Sequence, residues 1–288
     1  MIEDDIFYRK DIFLEHVINK LGNTPIDFCE KIDSIYREEN GDKKWRAAGV
    51  LLPLSFKPQS GAGGKKEFFL HLIKRSREVT QAGDLSCPGG MLNTHLDQLL
   101  RPLIAYGLLP VLKGDALRYA RNRGEDSFRN ITLFLANALR ESWEEVGINP
   151  FHVRFLGALP CRNLVLFTRT IFPLVGFVKE WHIRPNWEVE KIVAIPVRSF
   201  FDKGNYALYS VEVADSLSNR VETTSYFQCF VHREENGDEE ILWGATFYIV
   251  ESFLKIAFGF DMPAPSPERI LKKTLHPVYL TGNRNKRR

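Results

Sequence analysis

Leu139-Arg140-Glu141-Ser142-Trp143-Glu144-Glu145-Val146-Gly147-Ile148 is the stretch on which the reading of this chain turns. As a helix it places Glu141, Glu144 and Glu145 at i, i+3 and i+4, so their carboxylates share one face. Leu135, Leu139, Trp143 and Val146 fall opposite and are expected in the core. Gly147 is placed to end the helix as a left-handed cap. The acids therefore crowd toward the C-terminal end, where the helix dipole disfavours negative charge. Carboxylates about 6 Å apart repel by roughly 3 kcal/mol at an effective dielectric of about 20. Arg140, at i, i+4 to Glu144, offsets part of this. A hard divalent cation such as Mg²⁺ or Mn²⁺, which prefers oxygen ligands, offsets far more. A solvated acidic face and a metal-binding face are the two readings, and the neighbouring sequence decides between them.

The 288 residues suffice for one large domain or two small ones, and 44% hydrophobic with 26% charged residues is ordinary globular composition. A net charge of +3 is too small to call for nucleic acid, and part of it sits in the basic run Arg284-Asn285-Lys286-Arg287-Arg288. The cysteines Cys29, Cys87, Cys161 and Cys229 form no metal-binding spacing and read as reduced thiols. The acidic start Met1-Ile2-Glu3-Asp4-Asp5 is unlike a signal peptide, and the apolar run Leu99–Leu112 is broken by Arg101, Pro102 and Pro110. A cytoplasmic protein without a membrane span is the expectation.

Two short helices are predicted within 1–40, separated at Gly22-Asn23-Thr24-Pro25, with packing or a homodimer contact as their role. Ala47–Leu54 and Phe68–Ile73 read as a strand hairpin, with His71 a structural histidine between them. Ser60-Gly61-Ala62-Gly63-Gly64-Lys65-Lys66 lacks the ending of a phosphate loop. Lys74-Arg75-Ser76-Arg77 is either a solvated strand end or a phosphate grip. Gly89 and Gly90, in Cys87-Pro88-Gly89-Gly90, let the backbone approach something closely. Residues 91–130 read as an inserted helical flap whose second, basic helix carries Arg118, Arg121 and Arg123. Ser127 or Asn130 is expected to cap the acidic helix. Strands follow at Val153–Leu159, Leu164–Phe167, Thr170–Val178 and Ile192–Ile195, then a hairpin of Tyr206–Val213 and Ser225–His232 with Arg220 near its turn. Ile241–Phe258 reads as a helix, and 261–288 as a tail. This order predicts an α/β (α+β) fold: a mixed sheet between helices, spanning 41–260.

Gly90 followed, after the insertion, by Arg140-Glu141-Ser142-Trp143-Glu144-Glu145-Val146-Gly147-Ile148 resembles the box of the Nudix hydrolase superfamily. The resemblance covers roughly Ala47 to Phe258. The chain is most similar to the coenzyme A diphosphatase branch, through Arg75-Ser76, the Gly83–Gly90 run, Asn186-Trp187-Glu188-Val189 and Ile195-Pro196. The box is split by the insertion, its first glutamate position falls on Thr132, and the branch's second Arg and His are missing after Arg75-Ser76.

The resemblance implies an α/β/α sandwich and hydrolysis of a diphosphate in a small-molecule substrate. It implies Mg²⁺ or Mn²⁺ held by Glu141, Glu144 and Glu145, with the bound water's pKa lowered. A general base is still required, and the helix glutamates and Glu188 are its candidates. Arg75 and Arg77, with Gly89 and Gly90, are the expected substrate contacts. The leading substrate is coenzyme A or an acyl derivative, giving phosphopantetheine and 3′,5′-ADP. A dinucleotide or nucleotide-sugar is the first rival, and a nucleotide sensor without catalysis is the second.

Overall fold

Arg46–Pro58 (β1) carries an unbroken run of buried residues from Ala48 to Ser55, the pattern of a strand covered on both faces. The computed structural model describes residues 4–38, 45–59, 64–164, 168–213, 225–275 and 279. In it β1 is the middle of an eight-stranded sheet. Lys66–Arg75 (β2) pairs with it antiparallel, with Leu54 opposite Leu70. Further strands are Leu85–Ser86 (β3), Gly89–Met91 (β4), Val153–Ala158 (β5), Arg162–Leu164 (β6), Arg169–Val178 (β7) and Val189–Pro196 (β8). The path is β3-β2-β1-β7-β5, with β4 on β1, β6 on β7 and β8 on β2. Among the described residues of this sheet only β1 and β7 run parallel, so the sheet is mixed as predicted.

Helices cover both faces, which makes the predicted α/β/α sandwich. Glu125–Val146 (α5) lies on one side, with Phe134 stacked on Phe172 at 3.7 Å. Phe28, from the helix Phe28–Glu38 (α2), meets both rings edge-on. On the other side, Phe13 of Lys10–Asn23 (α1) stacks on Phe68 at 3.7 Å. Phe258 of Gly244–Phe258 (α6) packs against Phe13 there. The N-terminal helices therefore belong to the main core: Phe13, Val17 and Leu21 are fully buried.

The insertion folds as Thr94–Ala105 (α3) and Gly114–Asn122 (α4). It ends earlier than expected, because α5 begins at Glu125 behind Gly124 with no side-chain cap. Ser127 and Asn130 lie inside that helix, and Asn130 bonds the Cys29 thiol. Arg123 donates to the carbonyls of Leu21, Gly22 and Thr24, closing the C-terminal end of α1. Tyr119 lies over Gly22, where an added Cβ would sit 2.4 Å from the ring. The basic helix is thus fastened down through Arg123, while Arg118 pairs with Asp115 and Arg121 lies over the Phe128 ring.

Three strand and helix boundaries differ from expectation. The strand before β7 is 162–164, and 165–167 lie outside the described residues, as do 39–44 and Arg220. Ile241 and Leu242 belong to a strand, Glu239–Leu242 (β11), and the helix starts only at Gly244. The expected tail is a strand too: Ser266–Leu275 (β12) pairs in parallel with Tyr206–Val213 (β9). With Ser225–Arg233 (β10) these form a second sheet of order β11-β10-β9-β12, built on the predicted hairpin. Glu240 ties the two sheets, accepting from Lys74 of β2 and pairing with Lys191 of β8. Among the described residues no helix is long and apolar enough to cross a membrane.

If α1 belongs to the core, Phe13→Ala removes a fully buried ring. Urea denaturation should show a loss of about 3–5 kcal/mol. A loss within about 0.5 kcal/mol, the surface range, would contradict this packing.

Candidate functional site

The site begins where β4 meets β1. Gly89 pairs with Val50 and Gly90 with Gly49. Gly89 has φ of 148°, and a Cβ there would lie 2.4 Å from the Gly49 carbonyl oxygen. A Cβ on Gly90 would lie 2.5 Å from the Glu141 carboxyl. Both glycines are thus needed for close approach, as the sequence suggested. Asn137, fully buried on α5, locks the layers together. It accepts from Gly49 N–H at 2.7 Å and donates to the Met91 carbonyl at 3.0 Å.

The acidic helix ends as predicted. Gly147 is left-handed, and its N–H bonds the Trp143 carbonyl at 2.9 Å. Its faces are turned from the expected setting. Trp143 is 53% exposed, whereas Ser142 is fully buried and bonds its own helix at the Ala138 carbonyl. Small, internally satisfied Ser142 fits against the sheet where an indole would not. Relative to Glu141, Glu145 lies about 40° round the helix toward this buried stripe and Glu144 about 60° away from it.

The glutamates consequently have different surroundings. Glu145 is buried and accepts from the Gly89 N–H at 2.9 Å. Burial pushes its pKa up to about 8, against the Gly89 bond and the Arg75 charge, with Glu141 and Glu188 adding. Glu141, over Gly90, is also raised by burial, against Arg140, with Glu144 and Asp97 adding. Glu144 reaches outward to Arg140 at 3.3 Å.

Arg140 is held by a residue that sequence reasoning did not single out. Asp97 of α3, fully buried, accepts from Arg140 Nε at 2.8 Å and from its Nη2 at 3.2 Å. It also accepts from the Asn93 N–H at 2.8 Å, closing the N-terminus of α3. Burial disfavours the guanidinium, but Asp97 and Glu141 outweigh it and keep Arg140 charged. The insertion is therefore wired into the acidic helix.

A second brace comes from the segment after β7. Arg184 N–H bonds the Val146 carbonyl at 2.9 Å, and Asn186 N–H bonds that of Glu145 at 2.8 Å. Asn186 Nδ2 adds the Glu144 carbonyl at 3.1 Å. These bonds satisfy carbonyls that a helix end leaves open. The same Asn186 accepts from Glu188 N–H at 2.8 Å, and the Glu188 carbonyl accepts from Ser76 at 2.8 Å. Glu188 thus sits close enough for its charge to act on Glu145.

A cavity of about 110 Å³ opens beside Gly89 and Gly90, between the sheet and the start of α6. Arg75 and Arg169 line it with Val50, Ile171 and Trp243. Arg75 is steadied by its Nε bond to the Thr80 carbonyl at 2.8 Å. Arg169 was not foreseen: its β7 position faces Arg46 on β1, a pairing no local pattern reveals. Its Nε is buried without a hydrogen-bond partner among the described residues. Burial lowers its pKa, and Arg75 and Arg46 push the same way. Arg77 is exposed in the turn beyond β2, and it does not line this cavity. Asp84 fixes the cavity's rim by accepting from Trp243 Nε1 at 3.1 Å, from Lys273 of β12 and from Tyr279. A larger cleft of about 830 Å³ lies between α2, α3 and α5; the glutamates line neither cavity and reach the smaller one only through the Gly89–Gly90 backbone.

His71 is structural. It is buried on Ser55 Oγ at 2.6 Å, and burial, helped by Lys57, drives its pKa well below 6.5.

No family model matches the chain, and no curated protein matches it. Among solved structures it is similar to RenU, a Nudix hydrolase from M. smegmatis, at 16% identity and TM-score 0.34, over 57% of this chain and 80% of that one. A C. elegans Ap4A hydrolase in a binary complex is similar at 11% identity and TM-score 0.32, over 54% of this chain and 82% of that one. A MutT/nudix family protein from Enterococcus faecalis shows 11% identity and TM-score 0.36, over 84% of this chain and 73% of that one. Likenesses this distant add nothing to the reading of the site, which rests on the chain's own residues.

The raised Glu145 pKa fixes a pH dependence. Between the ordinary carboxyl value of 4.5 and about 8, the folded protein holds a proton that the unfolded chain has released. Stability without divalent ions is therefore full below that window and falls as pH rises through it. Denaturation midpoints across the window should decline in wild type and decline less in Glu145→Gln. Equal slopes in the two proteins would contradict the assignment.

Proposed function

We propose that this protein is a Nudix-type hydrolase that cleaves the diphosphate bond of coenzyme A or an acyl derivative, giving phosphopantetheine and 3′,5′-ADP. One juxtaposition carries the reading. Glu141 and Glu145 abut the Gly89–Gly90 backbone, and Arg75 and Arg169 line the cavity beside it.

The donors suit a hard divalent cation. They are carboxylates only, and burial raises the pKa of Glu141 and Glu145 even against the Arg140 pair at 2.8 Å and the Arg75 charge. Glu141, Glu144 and Glu145 are the residues that would hold it. Glu144 turns out to Arg140, and its half-exposed side chain has room to swing in. A divalent cation held there, Mg²⁺ or Mn²⁺, would supply neutralisation of the diphosphate and a bound water of lowered pKa.

The chain's own groups account for the rest. Arg75 and Arg169 grip phosphate oxygens, and a diphosphate relieves their mutual repulsion. The glycines let the anion reach the backbone. Glu188 or a helix glutamate takes the proton of the attacking water as its oxygen bonds to phosphorus. The bridging P–O bond breaks, leaving two monophosphates. Exposed Arg77 offers a contact for the 3′-phosphate of the adenosine moiety.

The test is incubation with Mg²⁺ or Mn²⁺ and a panel of diphosphates, with products identified by mass spectrometry. Phosphopantetheine with 3′,5′-ADP is expected. AMP with a sugar phosphate or a second nucleotide would move the substrate to the dinucleotide and nucleotide-sugar class. Tight binding without turnover would make the protein a sensor and overturn the enzyme reading.

Glu144→Gln and Glu145→Gln should each lower kcat by about 100-fold or more with unchanged circular dichroism. Wild-type turnover in either variant would remove that residue from the site.

A further inference from the structure

A second cluster of metal-type ligands lies outside the site just described. Among the described residues, His152, Glu180 and His182 form a set whose ligand atoms all lie within 4.8 Å of one another. His152 Nδ1 is 3.4 Å from a Glu180 carboxylate oxygen.

The backbone holds these side chains together. His152 ends a short 3-10 turn, Pro150–His152, directly before β5. Its carbonyl accepts from the Lys179 N–H at 2.9 Å, where the β5–β7 ladder ends with Val153 opposite Val178. The chain then runs on through Glu180, Trp181 and His182. Trp181 turns inward, its ring 3.8 Å from that of buried His71. The chain bends at Lys179 and Glu180, and with Trp181 anchored inside, Glu180 and His182 are exposed beside His152.

Two imidazoles and a carboxylate are a transition-metal donor set. They suit Zn²⁺ far better than Mg²⁺, which prefers oxygen alone. Zn–N bonds of about 2.0–2.1 Å put tetrahedral ligand atoms roughly 3.3 Å apart. The wider separations close by about an ångström of side-chain rotation, and both Glu180 and His182 are exposed enough to rotate.

Position gives the cluster its meaning. His152 follows the Gly147 cap of α5 by a few residues. Glu180 and His182 open the segment whose Arg184 and Asn186 bond the last carbonyls of α5 and which leads to Glu188. A metal across these ligands would fasten that segment to the end of the acidic helix.

We propose that His152, Glu180 and His182 form a Zn²⁺ site that clamps the 179–188 segment onto the C-terminal end of α5. It is separate from the carboxylate site, and its test does not depend on turnover.

Full-length protein stripped with a chelator is titrated with ZnCl₂ in millimolar Mg²⁺, read by calorimetry. Co²⁺ is added in parallel and read by visible absorption. One Zn²⁺ is expected to bind at micromolar concentration, raise the melting temperature and give Co²⁺ visible bands. His152→Ala with His182→Ala should lower Zn²⁺ affinity by about tenfold or more and abolish the Co²⁺ bands, with circular dichroism unchanged. Glu144→Gln should leave both signals intact. Equal Zn²⁺ binding by wild type and the double histidine variant would overturn the proposal, as would no wild-type binding at micromolar Zn²⁺.

Discussion

The bond from the Gly89 N–H to the buried Glu145 carboxylate joins the acidic helix to the strand that turns over it. That bond favours the ionised form of Glu145. Even so, burial wins over it and over the Arg75 charge, and the Glu145 pKa stays high. The protein thus keeps an acid in a place that favours the proton. It keeps arginines in the adjoining cavity, one of them with a buried Nε that has no hydrogen-bond partner among the described residues. Each half is costly alone. A cation on the acids and a polyanion against the arginines would relieve both together.

The rest of the structure braces this arrangement from three sides. Asp97, supplied by the insertion, forks onto Arg140 and sets the guanidinium among the glutamates. The 184–188 segment closes the end of α5 and brings Glu188 near. Asp84, through Lys273, Tyr279 and Trp243, ties the C-terminal segment and the start of α6 to the loop before β3. The insertion is therefore part of the site's support, which a reading of it as a loose flap would miss.

Legibility followed the range of the interactions. The acidic helix, its Gly147 cap and the first hairpin rest on neighbours in sequence, and all were readable; the two glycines were readable as a type, although what they approach lies far off in the chain. The orientation of α5 was less so: with Glu145 and Ser142 inward and Trp143 outward, side-chain size and internal hydroxyl bonding overrode the apolar stripe. β12 was read as a tail because its parallel partner lies far back in the chain and no turn signal announces it. Asp97 and Arg169 were missed for the same reason. A buried acid and a cation at a strand's first residue look ordinary until the partner arrives from another element.

The central claim is that Glu141 and Glu145 await a divalent cation. Mn²⁺ binding, followed by electron paramagnetic resonance on the chelator-stripped protein, tests it most directly. The account predicts bound Mn²⁺ in wild type at millimolar concentration, and its loss in Glu141→Gln with Glu145→Gln. Equal Mn²⁺ binding by wild type and that double variant would contradict it.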